Sequence, residues 1–145
     1  MNQKPLAVSL NLPIQTYDID FAGIVSNIVY IRWLEDLRLK MLETYQPLEQ
    51  LMAKRYCPVV RSTQIEYKKA LRMFDSPVAK MWMSELGRLK CTLQAEIYLN
   101  KEIVTSAIQT GFFIELETMR PIAIPKEIKQ IYAQYNVSDA CINNQ

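Results

Sequence analysis

From Val8 the chain alternates, with Val8, Leu10, Leu12 and Ile14 apolar against Ser9, Asn11 and Gln15. This is the period-two pattern of a half-buried strand. It predicts extended chain from about Val8 to Tyr17, with Pro13 at an edge position or a bulge. After Ser26 and Asn27, both good helix N-caps, the period changes, and Tyr30, Leu34, Leu37, Met41 and Tyr45 recur on one helical face with Trp33 flanking it. Arg32, Asp36, Lys40 and Glu43 form the opposite, solvated stripe, in which Arg32–Asp36 and Asp36–Lys40 are i,i+4 pairs. A loop follows from Gln46 to Cys57, with a short helix from Pro47 to Lys54. Period two then returns in runs from Val59 to Leu71, Pro77 to Leu86, Leu89 to Leu99 and Glu102 to Glu117, separated by Gly87 and by a tight turn at Asn100-Lys101. In the second run Val78, Lys80, Trp82 and Ser84 oppose Ala79, Met81 and Met83. Gly111 inside the last run marks a bulge or a close backbone approach. Pro125 opens a short C-terminal helix with Ile128, Ile131, Tyr132 and Tyr135 as its apolar face, and a polar tail begins near Asn136.

One long amphipathic helix and an antiparallel meander of about five strands describe an α+β fold in which one sheet face covers the helix. At 145 residues the chain fits a single domain, residues 1–145 with a flexible tail over about 136–145. A chain of this length buries roughly 68–70% of its unfolded surface, so a core forms without staples. A formal net charge of +2 offers no electrostatic footprint for nucleic acid. No stretch approaches the ~20 apolar residues of a membrane span, and the N-terminal apolar run is too short for a signal peptide. Cys57, Cys91 and Cys141 are widely spaced and odd in number, which reads as reduced thiols in a cytoplasmic protein without a metal site. The chain contains no histidine. Ser-His-Asp and Cys-His catalysis and His-ligated metals are therefore excluded, and proton work at neutral pH falls to carboxylates, lysines, tyrosines or cysteines.

That requirement directs attention to Tyr17-Asp18-Ile19-Asp20-Phe21-Ala22-Gly23-Ile24-Val25-Ser26-Asn27. Two carboxylates and a glycine lie in a turn that feeds the long helix, beside the unpaired N–H groups and positive dipole end of its first turn. An acid next to such donors can attack a carbonyl carbon while its oxygen is polarised. Asp18, two residues ahead of the turn, better fits a loop-fixing role, accepting backbone hydrogen bonds. For Asp20 a turn or capping role is the alternative to catalysis. Glu35 and Arg38, i,i+3 neighbours at the border of the apolar face, read as a half-buried structural ion pair, with a role for Glu35 in positioning a site as the other reading.

The strand, the turn Asp-x-Asp-x-x-Gly-x-Val-x-Asn, the helix bearing Tyr30, Trp33, Glu35 and Arg38 and the meander together resemble the hotdog-fold thioesterases of the 4-hydroxybenzoyl-CoA thioesterase type. The resemblance covers nearly the whole chain, is most specific over Tyr17 to Arg38, and recurs at Tyr67 to Asp75, at Gly87 to Lys90 and at Arg120-Pro121 with Pro125. It implies a hotdog fold, hydrolysis of a fatty or aromatic acyl-CoA or acyl carrier protein thioester without a cofactor, and a homodimer or a dimer of dimers with the substrate at the interface. Carried over by position, it makes Asp20 the nucleophile or the general base, Gly23 and the amides after it the carbonyl-polarising group, and Asn27 an orienting side chain. It also places Arg88 and Lys90, and a second cluster at Lys68, Lys69 and Arg72, against the CoA moiety, although charged turns of this kind are equally ordinary solvated surface.

Two departures accompany the resemblance. Ile24 stands where some members have histidine, and Ala70 and Phe74 stand where proline and glycine are common, which alters the loop before Asp75. Trp33, Trp82, Phe112 and Phe113 are candidates for an acyl tunnel or for plain core. Hydratases of the same architecture pair a histidine with a carboxylate, so carbon–oxygen elimination is disfavoured here. The rival from another class is a non-catalytic acyl-CoA-binding or ligand-sensing hotdog module.

Overall fold

The structure, a computed structural model, describes residues 4–143. Strand β1 (Val8–Asn11) is followed by helix α1 (Asn27–Tyr45), helix α2 (Leu48–Ala53), and strands β2 (Tyr56–Tyr67), β3 (Val78–Leu86), β4 (Lys90–Leu99), β5 (Glu102–Glu115) and β6 (Pro121–Ile122). Helix α3 (Lys126–Asn143) closes the described chain. The strands form one antiparallel sheet in the order β1-β3-β4-β5-β2, and β6 pairs with β5. The expected α+β hotdog layout is therefore present, with a sixth, two-residue strand that the pattern does not announce.

The sheet wraps α1 because their apolar periods face one another. Val29, Tyr30, Trp33, Leu34, Leu37 and Met41 are buried from the helix, and Ala79, Met81, Met83, Cys91, Ala95, Ile97, Ala107 and Phe113 are buried with them from the strands. Leu37 is wholly inaccessible. Each large apolar side chain of this kind contributes roughly 1.5–3 kcal/mol on leaving water. The meander turns follow their residues: Asn100 and Lys101 have φ of 52° and 70°, the paired left-handed geometry of a two-residue hairpin turn.

Several boundaries move. Extended pairing in β1 ends at Asn11, and Thr16–Asp18 is a 3-10 turn, because the two acids bind local backbone. The run expected from Val59 to Leu71 pairs from Tyr56 to Tyr67. The short helix expected after Pro125 is longer and runs to Asn143, into the segment read as a polar tail; residues 144–145 of that tail lie outside the described residues. Among the described residues no ion pair within 4.0 Å joins Arg32, Asp36 and Lys40. Exposed i,i+4 partners gain too little from closing to give up hydration and side-chain freedom.

At Gly111 the backbone of β2 crowds β5. A Cβ there would stand 2.5 Å from the Val59 carbonyl oxygen, beside the bulge between Val60 and Ser62. Gly111→Ala should therefore destabilise the fold by about 1–3 kcal/mol, since backbone must shift; urea unfolding with an unchanged midpoint would show that the strand yields freely.

Candidate active site

The Asp18–Val25 segment is a small closed loop. Ile19 and Val25 form an isolated antiparallel bridge, the Asp20 N–H donates to the Ile24 carbonyl at 2.9 Å, and the Gly23 N–H donates to the Asp20 carbonyl at 3.0 Å. Gly23 has φ +77° with nothing within 4 Å of where a Cβ would lie. Its requirement is thus conformational and not steric crowding. Asp18 is buried; its Oδ2 accepts the Gln15 N–H at 2.8 Å, and its carbonyl accepts the Ser26 N–H at 2.9 Å. It fixes the loop, as its position suggested. Asp20 is half-buried at the loop tip, where Oδ1 accepts the Ala22 N–H at 2.8 Å. No bond within the described residues engages its Oδ2, so one carboxylate oxygen is anchored while the other faces outward.

The loop leads directly into α1. Ser26 takes the N-cap position without a side-chain cap hydrogen bond, and Asn27 is the first helical residue. The Asn27 and Ile28 N–H groups have no intrahelical acceptor, as at any helix start, and this start carries no acidic residue in its first turn. The donors and the positive dipole end thus have no partner within the helix itself. The start is held to the sheet through Tyr67 of β2, whose ring meets Tyr30 edge to face at 5.0 Å and whose hydroxyl donates to the Asn27 carbonyl at 3.3 Å; within α1, Tyr30 also meets Trp33 edge to face at 5.1 Å. Burial pushes the Tyr30 phenol above its ordinary value, which keeps it protonated.

The predicted cations separate into two groups. Lys68 and Lys69 both donate backbone N–H to Val104 and stand at the Asp20 end of the sheet; Lys69 is already paired with Glu102 at 2.7 Å. Arg88 and Lys90 occupy the exposed β3–β4 turn at the other end. Tyr67 is paired with Thr105, and Lys90 with Phe112, so the two clusters lie roughly 24 Å apart along β5 at the rise of an antiparallel strand. Within one protomer Arg88 and Lys90 are not brought to Asp20.

A cavity of about 370 Å³ lies at that same far end, between the C-terminal half of α1 and the start of β2. Its walls are mostly apolar and include Leu42, Val59, Phe112 and Phe113; Trp33 and Trp82 do not line it. Glu35 and Arg38 do, yet among the described residues no ion pair within 4.0 Å joins them. The Arg38 Nη1 instead donates to Gln109 Oε1 at 2.8 Å, and Gln109 Nε2 donates to Thr63 Oγ1 at 3.0 Å. The expected intrahelical ion pair is therefore replaced by a helix-to-sheet network, because buried Gln109 needs partners. Burial pulls the Arg38 guanidinium down from its ordinary range, opposed by the field of Glu35. Gln109 and Thr63 escaped the sequence reading. The available signal was a polar residue in phase with inward-facing Ala107 and Phe113.

A family model described as the thioesterase-like superfamily matches residues 14–131. The chain is 25% identical over 126 residues to the acyl-CoA thioesterase YbgC of Haemophilus influenzae, covering 84% of this chain and 93% of that one. Among solved structures it resembles the probable thioesterase YbaW of Escherichia coli (TM-score 0.77, 22% identity, 88% of this chain and 97% of that one). It also resembles the DHNA-CoA thioesterase of Staphylococcus aureus (TM-score 0.80, 18% identity, 95% and 93%). At these identities the structural likenesses speak for the fold.

The cavity carries a testable marker. Burial pushes the Cys91 thiol up to about 11, so about one in a thousand is ionised at pH 8. In the folded protein at pH 8, a thiol reagent should leave Cys91 unmodified and modify half-buried Cys57 first. Peptide mass spectrometry showing Cys91 labelled at the rate of Cys57 would contradict this burial.

Proposed function

The chain belongs to the thioesterase-like superfamily, and we propose that it hydrolyses acyl-CoA thioesters, with Asp20 as the catalytic carboxylate. The observation that carries this reading is the anchored Asp20 on a loop feeding an uncapped helix start. As general base, Asp20 takes a proton from water while the water oxygen attacks the thioester carbon. As nucleophile, it bonds to that carbon directly, and water then cleaves the resulting mixed anhydride. Either route places negative charge on the carbonyl oxygen, which the first amides of α1 would stabilise, and expels CoA as the thiolate. Asn27 is exposed beside those amides and suits an orienting role. Thioester cleavage needs no histidine, so the composition agrees with it.

The separation of Asp20 from the cavity and from Arg88 and Lys90 favours a site built from two copies. β2 is the sheet edge opposite β1, twelve residues long, with most of its side chains exposed. A long free edge is a pairing template. Beside it, α1 leaves Ile28, Ile31 and Leu39 exposed at 60%, 48% and 46%, an open apolar flank that association would cover. Two β2 edges joined antiparallel about a two-fold axis bring the far end of one sheet beside the near end of the other. Asp20 of one copy would then meet the cavity and the Arg88–Lys90 turn of the second, which suit an acyl group and CoA phosphates respectively. Lys68 lies on the Asp20 side as a further cation for the same ligand, and Lys69 would have to leave Glu102.

Thiol release from aromatic, short, medium and long acyl-CoAs, and from an acyl carrier protein thioester, tests the activity. Asp20→Asn should lower the rate by about 10²–10⁴-fold; wild type that binds CoA esters without releasing thiol would make the chain a binding module. Heterodimers of Asp20→Asn with a chain carrying Arg88→Ala and Lys90→Ala should regain about half of the wild-type rate, since one of two shared sites is intact. No recovery would place the whole site within one chain.

A further inference from the structure

Arg38 is a half-buried cation whose hydrogen-bonding partner is a neutral amide, Gln109. Among the described residues no carboxylate lies within 4.0 Å of it. Glu35 is exposed on the open flank of α1, between Ile31 and Leu39, and among the described residues it too has no ion-pair partner. Both line the cavity. A guanidinium drawn partly out of water, with only the field of Glu35 from beyond 4.0 Å to offset its burial, is costly, while a carboxylate on an apolar stripe would be costly once that stripe is covered. Each residue carries what the other lacks, yet they do not close on one another.

Their position along the sheet supplies the reason. Arg38 is tied through Gln109 to Thr63, near the middle of β2, which runs from Tyr56 to Tyr67. Antiparallel pairing of this edge with itself satisfies most backbone groups when it is centred on the strand, so the two-fold axis would pass close to Arg61 and Ser62. The helices of the two copies then run antiparallel across that axis with Arg38 of each chain near it. Two guanidinium groups meeting there would repel. Glu35, one helical turn earlier on the same flank, interleaves between them.

We propose that Arg38 is neutralised by Glu35 of the partner subunit, giving two symmetric ion pairs across the axis and closing the polar wall of each cavity with a residue from the other copy. This rests on the two-copy reading given above and adds to it the device that fixes register. It also sets the character of the acyl subsite. With both charges consumed, the cavity suits an uncharged acyl group.

The test is a charge exchange read by sedimentation and native mass spectrometry. Glu35→Lys sets an ammonium against a guanidinium across the axis of its homodimer, and Arg38→Glu sets two carboxylates together, so each variant alone should dimerise at least about tenfold more weakly than wild type. Mixed one to one, they should form heterodimers far in excess of either homodimer, because one cross-axis contact then joins two native charges and the other joins the two exchanged ones. Single variants that dimerise as well as wild type, or a mixture without heterodimer enrichment, overturn the ion pair while the two-copy site stands. A wild type that is monomeric overturns both. Should circular dichroism show either single variant unfolded, the chain carrying both exchanges decides: it should fold and dimerise, and a folded monomer counts against the proposal.

Discussion

The constraint on which the rest depends is that a 19-residue helix must bury one stripe of side chains under a single sheet while its other flank stays outside. Tyr30, Trp33, Leu34, Leu37 and Met41 go inward, and that choice of face sets the axis and rotation of α1. It fixes the helix start against Tyr67 at one end of the sheet and the cavity at the other. A sheet that curls over one helix from β1 to β5 leaves β2 as an uncovered margin, and the helix flank beside that margin keeps Ile28, Ile31 and Leu39 in water. The exposed apolar stripe is thus a direct product of the packing that stabilises the core. A single copy cannot cover both sides of α1.

Much of this was legible in the order of apolar and polar residues. The face of α1 and the division of β3 into the rows Ala79, Met81, Met83 and Val78, Lys80, Trp82, Ser84 followed from period, because both are dictated by local geometry that repeats within each element; which row turns inward came from the packing. The Asn100-Lys101 turn was equally readable. What the pattern left out were features set by partners remote in sequence. β6 exists because β5 extends beyond the end of β4 and offers Phe113 and Ile114 an open side. The early end of β1 reflects competition: the segment carrying Thr16 to Asp18 satisfies its backbone locally through a carboxylate, and side chains of this type draw the chain out of a ladder.

The candidate site divides in the same way. The Asp18–Asn27 turn is contiguous, so its acids, glycine and helix start could be read together; Asp18 accepts the Gln15 N–H as a loop-fixing acid does, and Asp20 accepts the Ala22 N–H through one oxygen, the kind of turn contact that stood as the alternative to catalysis. The Arg38–Gln109–Thr63 network could not be read. It joins three elements separated by 71 and 46 positions, and its effect is to displace the nearest-neighbour pairing of Glu35 with Arg38 that helical spacing suggests. A buried amide with donor and acceptor unsatisfied costs more than an i,i+3 ion pair with one exposed partner returns. The magnitudes favour the observed choice.

The absence of histidine ties these halves together. A chain with a histidine can place acid, base and orienting functions on one ring within a short loop, whereas here the polar groups offered by the loop and helix start are a single free carboxylate, an asparagine and backbone amides. Such a site gains its rate from geometry and from exclusion of water around the developing oxyanion. Asp20 is half-exposed at a loop tip and the first two residues of α1, Asn27 and Ile28, are open to solvent, so neither condition is met by the loop alone. The cavity has the complementary character: its walls are mostly apolar, and the thiols and the carboxylate that line it, Cys57, Cys91 and Glu35, lie at the far end of the sheet from Asp20. Each end of the protomer therefore supplies what the other end needs. The proposed pairing of two copies about a two-fold axis would bring the two ends together.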